Sequence, residues 1–146
     1  MTRARELAEL GSVYDNNALS HRNLIINGAM QVAQRGTSAT GIGSTNGVIP
    51  TLDRYRFIIE GPTAGRLTMT QETDAPAGFG RSLKLACTTA DTSIAAGERL
   101  FLQHKIEAKN CQAIGKGETG AKSFTVSFYV KANAAKTYAL EIFQSD

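Results

Sequence analysis

Apolar and polar residues alternate with a period of two over much of this chain, which is the pattern of strands that bury one face. The clearest example is FTVSFYVK at residues 124–131. A short turn at residues 132–135 leads into a second alternating run at residues 138–143. This order of strand, turn and strand predicts an antiparallel hairpin.

Further alternating runs predict more strands along the chain. They lie at residues 54–59, 66–70, 83–87 and 99–106, and the last of them has a helix as a serious alternative. A short helical turn is expected at residues 110–114.

The region before these strands has a different composition. Leu24 and Ile26 begin a predicted first strand that is kinked at Asn27-Gly28, because both residues tolerate positive φ, and that resumes at residues 30–32. Residues 36–50 are rich in Gly, Ser and Thr and predict a surface loop.

The start of the chain differs from the rest. The first ten residues favour a helix, since Arg, Glu, Leu and Ala are good helix formers and Leu7 and Leu10 fall on one face. Residues 13–22 are polar and indicate a linker. We therefore expect a short helical or extended leader over residues 1–22 and one domain over residues 23–146.

Strands that recur without intervening helices predict the fold class. The expectation is an all-β fold, an antiparallel β-sandwich of the jelly-roll or Greek-key type. Only about seven strands can be counted, and a closed jelly roll needs at least one more. Either the chain is a fragment that is incomplete at its C-terminus, or a partner covers an exposed edge.

Composition narrows the class of protein. The chain has 146 residues, of which 42% are hydrophobic and 20% charged, as expected for one globular domain. Its net charge of +3 is spread along the sequence, so nucleic-acid binding is disfavoured. No hydrophobic run is long enough to predict a membrane span, and the charged N-terminus does not resemble a signal peptide. Synthesis and folding in a cytoplasm are therefore expected.

The chemistry-bearing residues do not form a recognisable active site. Cys87 and Cys111 are expected to be buried free thiols, and His21 and His104 to have structural roles. A mobile loop is expected at Gly41-Ile42-Gly43, and a solvated turn rather than a calcium site at residues 15–17. The sequence thus predicts no enzyme, no catalytic residue, no metal site and no cofactor.

Three segments resemble a known family. They are NLIINGAMQVAQRGTS at residues 23–38, LDRYRF at residues 52–57 and FTVSFYVKANAAKTYALEIF at residues 124–143. Together they look like the domain of tail-fibre-like proteins of tailed bacteriophages, of the type found in marine phages. The likeness runs from about residue 22 to residue 146.

The resemblance implies both a fold and a function. The fold would be a carbohydrate-binding-like jelly roll, similar to galactose-binding modules. The protein would be a structural virion protein, the N-terminal region of a tail fibre that attaches to the phage tail and supports recognition of the host surface. It would form a homotrimer, contact other tail proteins and a host-surface glycan, and be assembled into the virion in the host cytoplasm.

The same analogy suggests which residues carry these contacts. Leu7, Leu10 and Val13 would be the apolar contacts of the leader for attachment or trimerisation. The family offers no sugar-contacting motif, but sugar sites combine aromatic faces with planar hydrogen-bonding groups. Arg54, Arg56 and Tyr129 are therefore the candidate ligand-binding residues.

Alternatives remain open at this point. Asp53-Arg54-Tyr55 is equally explained by an ion pair at the edge of the core and a buried ring. A stand-alone carbohydrate-binding module is the second functional hypothesis. An enzyme such as a depolymerase is the third, and it is disfavoured because no catalytic constellation is visible.

Overall fold

The computed structural model describes residues 3–7, 23–43, 47–61 and 63–144. Within these residues the architecture is all-β, with two antiparallel sheets and almost no helix, as predicted. The strands are β1 (Ser38–Ile42), β2 (Tyr55–Glu60), β3 (Arg66–Glu72), β4 (Ser82–Thr89) and β5 (Arg99–His104), and a 3₁₀ helix follows at Ala108–Ile114.

The strands form one larger and one smaller sheet. The larger has the order β1-β3-β4, and the smaller pairs β2 with β5. A single bridge between Val48 and Phe57 adds to the free side of β2. Over the described residues the two sheets are not closed into a jelly roll.

The core joins the two sheets. Phe57 and Ile59 of β2 form one buried cluster with Ile42 of β1 and Met69 of β3. Burial of such side chains is the main driving force for folding, about 1.5–3 kcal/mol for each. The sheets are therefore held together by residues from β1, β2 and β3.

The core-facing rows continue onto the outer strands, where they become exposed. Met69 is fully buried, whereas Leu85, directly opposite it on β4, is 40% exposed. In the smaller sheet Ile59 is buried, whereas its β5 partner Leu100 is 45% exposed. We call the exposed row the open flank; its members are Leu85, Cys87, Leu100 and Leu102.

Several predicted elements are confirmed. The strands expected at residues 54–59, 66–70 and 83–87 correspond to β2, β3 and β4, each with slightly different bounds. Residues 99–106 contain strand β5, so the alternative of a helix there was wrong. The helical turn near residues 110–114 is part of the 3₁₀ helix.

The first strand was predicted wrongly. Residues 25–29 form a bend and turns instead, and residues 24 and 30–32 carry no strand; Asn27 and Met30 have φ values of 60° and 57°. Two residues in the left-handed region fold the backbone back on itself, which is incompatible with an extended strand. The Asn27-Gly28 step was expected to kink a strand, whereas it lies within the bend and turns at residues 25–29 and no strand flanks it.

The loop expected at residues 36–50 was also partly wrong. Its first part forms β1, which pairs with β3, and Ile42 belongs to the core. Gly41-Ile42-Gly43 is consequently the end of a strand rather than a mobile loop. The high content of Gly, Ser and Thr hid this strand because Ile42 is its only large apolar residue.

The C-terminal hairpin is not formed. Residues 121–144 carry no strand, although a bend occurs at residues 133 and 134 as the turn prediction implied. The Tyr129 ring packs edge-on against Phe79, and the Lys131 ammonium donates to the Asp74 carboxylate at 2.7 Å. This segment therefore contacts the turn between β3 and β4 instead of pairing with residues 138–143.

Other predictions are corrected or lie outside the described residues. Cys87 is exposed and Cys111 half-buried, so the expectation that both thiols are buried was wrong, although both are free. Residues 3–7 are helical, in agreement with the leader prediction, whereas residues 15–17 and His21 lie outside the described part. Among the described residues, no helix is long and apolar enough to cross a membrane.

Candidate functional site

The segment at residues 23–36 is organised by the side chain of Asn27. Its amide nitrogen donates to the carbonyl of Val32 at 2.9 Å and to the carbonyl of Asp53 at 3.1 Å. Its amide oxygen accepts from the N–H of Val32 at 2.9 Å. One side chain thus replaces the backbone hydrogen bonds that a strand would have made, which Asn does readily in turns.

Asp53 is the other half of this contact. Its backbone N–H donates to the carbonyl of Val32 at 3.1 Å. Its carboxylate accepts from the N–H of Gln34 at 3.2 Å and from the guanidinium of Arg35 at 3.0 Å. We call this set, residues 27, 32, 34, 35 and 53, the motif junction, because it joins the segments at residues 23–38 and 52–57.

The motif junction is attached to both sheets. The Gln71 side chain of β3 donates to the carbonyl of Met30 at 2.6 Å and to that of Gln31 at 3.1 Å. A ring nitrogen, Nε2, of His104 in β5 lies 3.0 Å from the carbonyl oxygen of Ile26. Residues 23–36 therefore tie an end of the larger sheet to an end of the smaller one.

Arg54 lies beside the junction in a strained conformation. Its φ is 77°, which is unfavourable for a residue with a Cβ. Its guanidinium donates to Glu107 at 2.8 Å, and the other carboxylate oxygen of Glu107 is 3.3 Å from the ammonium of Lys109. These two cations lower the pKa of the Glu107 carboxyl, and the hydrogen bond from Arg54 is the larger cause.

His104 occupies the buried side of the same region. Its ring meets the Tyr55 ring edge-on at a centroid distance of 5.2 Å. Burial lowers the pKa of His104, so the ring is neutral at pH 7, and Nε2 then donates to the Ile26 carbonyl. Nδ1 of His104 and Nη2 of Arg54 are both buried and have no hydrogen-bond partner among the described residues.

The three candidate ligand-binding residues have different surroundings. Arg54 is paired with Glu107, as described above. Arg56 donates to the carbonyl of Gly47 at 2.8 Å, and a Cβ at position 47 would clash with its guanidinium. Tyr129 is 75% exposed and touches Phe79 at the turn between β3 and β4. These contacts attach the three candidates to three separate parts of the chain.

The structural alternative for Asp53-Arg54-Tyr55 is present in the molecule. Asp53 forms the ion pair with Arg35, and the Tyr55 ring is buried. The partners Asn27, Arg35 and Glu107 were not predicted. For Asn27 a signal existed, since an Asn-Gly step is typical of positive φ, but nothing in the sequence indicates which distant group its amide would bind.

The candidate attachment residues of the leader are described only in part. Leu7 lies in the helical segment and is 67% exposed, which leaves its side chain available for a contact. Leu10 and Val13 lie outside the described residues. Their role in attachment remains a prediction.

A cleft opens between the larger sheet and β5. It has a volume of about 370 Å³, and Leu67, Cys87, Ile94 and Leu100 are among its lining residues. It therefore includes two members of the open flank. No aromatic ring lines it in the described part of the chain, although sugar sites usually offer one.

The carboxylate at this cleft is satisfied by its own chain. Asp91 accepts from the N–H of Ser93, the N–H of Ala64 and the hydroxyl of Thr63 at 2.8–3.0 Å. These hydrogen bonds lower the pKa of the Asp91 carboxyl, and the one from the Ser93 N–H has the largest effect. The cleft is accordingly suited to apolar side chains more than to a polar ligand.

Comparison with known proteins gives no relative. No family model, no curated protein and no solved structure matches this chain. Within residues 3–7, 23–43, 47–61 and 63–144, no cluster of three His, Cys, Asp or Glu side chains could hold a metal ion.

Proposed function

We propose that this chain is a structural virion protein of a tailed phage, the N-terminal region of a tail fibre. It attaches to other tail proteins, supports recognition of the host surface and is assembled in the host cytoplasm as a homotrimer. The two sheets belong to a jelly roll of the galactose-binding-like type, preceded by an attachment leader at residues 1–22. The proposal includes no catalysis, cofactor, nucleic-acid binding or membrane insertion.

The observation that supports this proposal is the motif junction. The resemblance rests on segments that are distant in sequence, and two of them meet through Asn27 and Asp53. Two short segments that contact each other in the fold support the resemblance more strongly than two segments that lie apart. The role of this unit is architectural, since its polar groups bind one another and both sheets.

Localisation in the virion tests the function. Electron microscopy of intact particles is expected to show the chain at the tail, in a rotationally symmetric arrangement. Replacement Leu7→Asp is expected to reduce incorporation into particles at least tenfold, because a carboxylate would enter an apolar contact. The neighbouring Glu6→Ala, also exposed, is the control and should leave incorporation unchanged. Absence of the chain from purified particles would refute the proposal.

A carbohydrate-binding module without enzymatic activity is the second candidate. The observation that favours it is the exposed ring of Tyr129 beside Phe79, with the Lys131–Asp74 ion pair close in sequence to both. Aromatic faces next to charged hydrogen-bonding groups are suited to sugars.

A glycan array separates the two candidates. Under the second one, the isolated chain binds a defined glycan and Tyr129→Ala weakens binding about tenfold, a loss of about 1.4 kcal/mol. Tyr138→Ala is the matched control, because Tyr138 is also an exposed tyrosine of the same segment. Arg54→Ala and Arg56→Ala test the other two candidate residues. Equal binding by all variants would exclude these residues as the site.

A further inference from the structure

The residues of the open flank face the same way as core residues but are not covered. Leu100 and Leu102 of β5 face the same way as the buried Ile59 and Phe57, with which they pair, yet both are exposed. Leu85 of β4 is likewise exposed opposite the buried Met69. Exposed apolar surface of this kind marks an interaction site, and the cleft that Cys87 and Leu100 both line provides room for additional side chains.

β5 also offers backbone groups to a partner. In the part of the chain that the structure describes, β5 pairs with β2 alone, so its other side is a free edge. Its consecutive residues Leu100, Phe101 and Leu102 are exposed on both faces of the strand. A two-stranded sheet is marginally stable by itself, and an exposed apolar edge is a template for an added strand.

The segment at residues 124–130 has the complementary pattern. Its apolar row, Phe124, Val126, Phe128 and Val130, is exposed throughout, with Phe128 at 63% and Val130 at 72%. The residues that alternate with this row are the ones that contact its own chain, since Tyr129 touches Phe79 and Lys131 pairs with Asp74.

These contacts decide between an internal and an external partner. They attach residues 129–131 to the turn of the larger sheet, while the apolar row remains exposed instead of covering the β5 edge of the same chain. Each copy therefore has a segment with the alternating pattern of a strand and, in its described part, a strand edge without a partner. Two copies can therefore satisfy each other by exchange, which adds backbone hydrogen bonds and buries apolar surface together.

We propose that residues 124–130 of one copy add as a strand to the β5 edge of a second copy and cover its open flank. This goes beyond the proposed function, because it assigns the surface and the partner independently of where the protein acts. It explains why an alternating apolar segment and an apolar strand edge occur unpaired in the same chain.

The first test measures mass in solution. The wild-type chain is expected to have a concentration-dependent mass at a multiple of 15.6 kDa by native mass spectrometry and light scattering. Ser127→Pro removes a backbone donor in the middle of the added strand and should raise the concentration for half-association at least tenfold. Ala134→Pro, at the bend outside the paired stretch, is the control and should associate like the wild type. A wild-type monomer at all concentrations, or association unaffected by Ser127→Pro, overturns the proposal.

The second test identifies the contact in case the proline variant does not fold. In a Cys87→Ser, Cys111→Ser background, chains with Phe101→Cys and chains with Ser127→Cys are refolded together and oxidised. A covalent dimer is expected in the mixture, and it should be weak when Ala134→Cys replaces Ser127→Cys. If both substitutions placed in one chain give an internal disulfide at high dilution, the segment pairs within its own chain and the proposal is wrong.

Failure of this inference is distinguishable from failure of the proposed function. Both tests use the isolated chain, whereas the function is tested by its presence in virus particles. A chain found at the tail as an oligomer that Ser127→Pro does not weaken would refute strand exchange alone. A strand-exchanged oligomer absent from particles would refute the tail-fibre proposal alone.

Discussion

At the scale of single residues, Asn27 determines the path of the chain between the leader and β1. Its φ of 60° lies in the left-handed region, which Asn tolerates better than most residues. Its side chain holds Val32 and Asp53 at once. The conformation and the contacts depend on each other, because only this backbone turn brings the amide to both partners.

Two substitutions at this position separate backbone strain from lost hydrogen bonds. Asn27→Gly keeps the left-handed conformation but loses every side-chain bond, so we expect about 2 kcal/mol less stability. Asn27→Ala loses the same bonds and adds strain of about 1 kcal/mol. Urea denaturation of each variant gives these differences. Asn133→Ala, at an exposed bend, is the control and should change stability by less than about 0.5 kcal/mol. Unchanged stability in Asn27→Gly would show that the junction contributes nothing.

His104 predicts how stability changes with pH. Burial lowers its pKa in the folded chain below the ordinary value of 6.5. As the pH falls below about 6.5, the unfolded chain therefore binds a proton before the folded chain does. Stability is fully present above this pH, decreases as the pH falls towards the folded pKa, and becomes constant below it. Urea midpoints measured from about pH 8 to about pH 5 should show this decrease.

A histidine variant tests whether His104 causes this decrease in stability. His104→Gln should make the urea midpoint independent of pH in this window. The carboxyls of Asp74, Asp91 and Glu107 have lowered pKa values and lose their contribution only at more acidic pH, so they do not interfere. A decrease that persists in His104→Gln would contradict the assignment.

At the scale of elements, burial decreases from β3 to β4 in the larger sheet and from β2 to β5 in the smaller one. Met69 and Leu85 face each other across β3 and β4, and Phe57 and Leu102 across β2 and β5. In both pairs the first residue is buried and the second exposed. An apolar side chain on β2 or β3 therefore contributes more to the free energy of unfolding than its partner on β5 or β4.

This gradient predicts unequal effects of two similar truncations. Met69→Ala should lower the free energy of unfolding by about 2–5 kcal/mol, because it leaves a cavity in the core. Leu85→Ala should cost about 1 kcal/mol or less in the isolated chain, since this side chain is already 40% exposed. Chemical denaturation measures both. Equal losses would mean that β4 is covered in solution and that the flank is not open.

The sequence predicted the elements whose local pattern agrees with their surroundings. β2, β3, β4 and β5 have period-two runs of apolar residues and were found near their expected bounds. The strand β1 was missed because SATGI has one large apolar residue, and its pairing with β3 is a long-range contact. The C-terminal hairpin was predicted but is not formed. Alternation at residues 124–131 indicates a strand but does not specify the strand with which it pairs.

The candidate site could be predicted to a smaller extent. An ion pair and a buried ring were one of the two explanations left open for Asp53-Arg54-Tyr55, and Asp53 pairs with Arg35 while the Tyr55 ring is buried. The partners could not be found, since Arg35 and Glu107 reach their positions through turns whose geometry depends on the whole fold. Sequence spacing gives the direction of a side chain within a strand and does not give distances between strands.

At the scale of the whole molecule, the chain combines sheets that are tied together with apolar residues that are exposed. Residues 23–36 tie the two sheets together through Gln71 and His104. Elsewhere, the open flank and residues 124–130 leave apolar surface exposed. A molecule whose sheets are tied together by residues 23–36 and that exposes apolar residues on β4, β5 and residues 124–130 is suited to association through these exposed residues.

Hydrogen exchange tests this asymmetry across the molecule. In dilute solution, amides of residues 124–130 should exchange close to the rate of an unfolded chain, because these residues carry no strand. Amides of β3, which is paired on both sides, should exchange slowest. Raising the protein concentration should protect residues 124–130 and β5 together while leaving β3 unchanged, and Ser127→Pro should abolish this protection. Protection of residues 124–130 that is already complete in the dilute monomer would show that the strand is supplied within the chain.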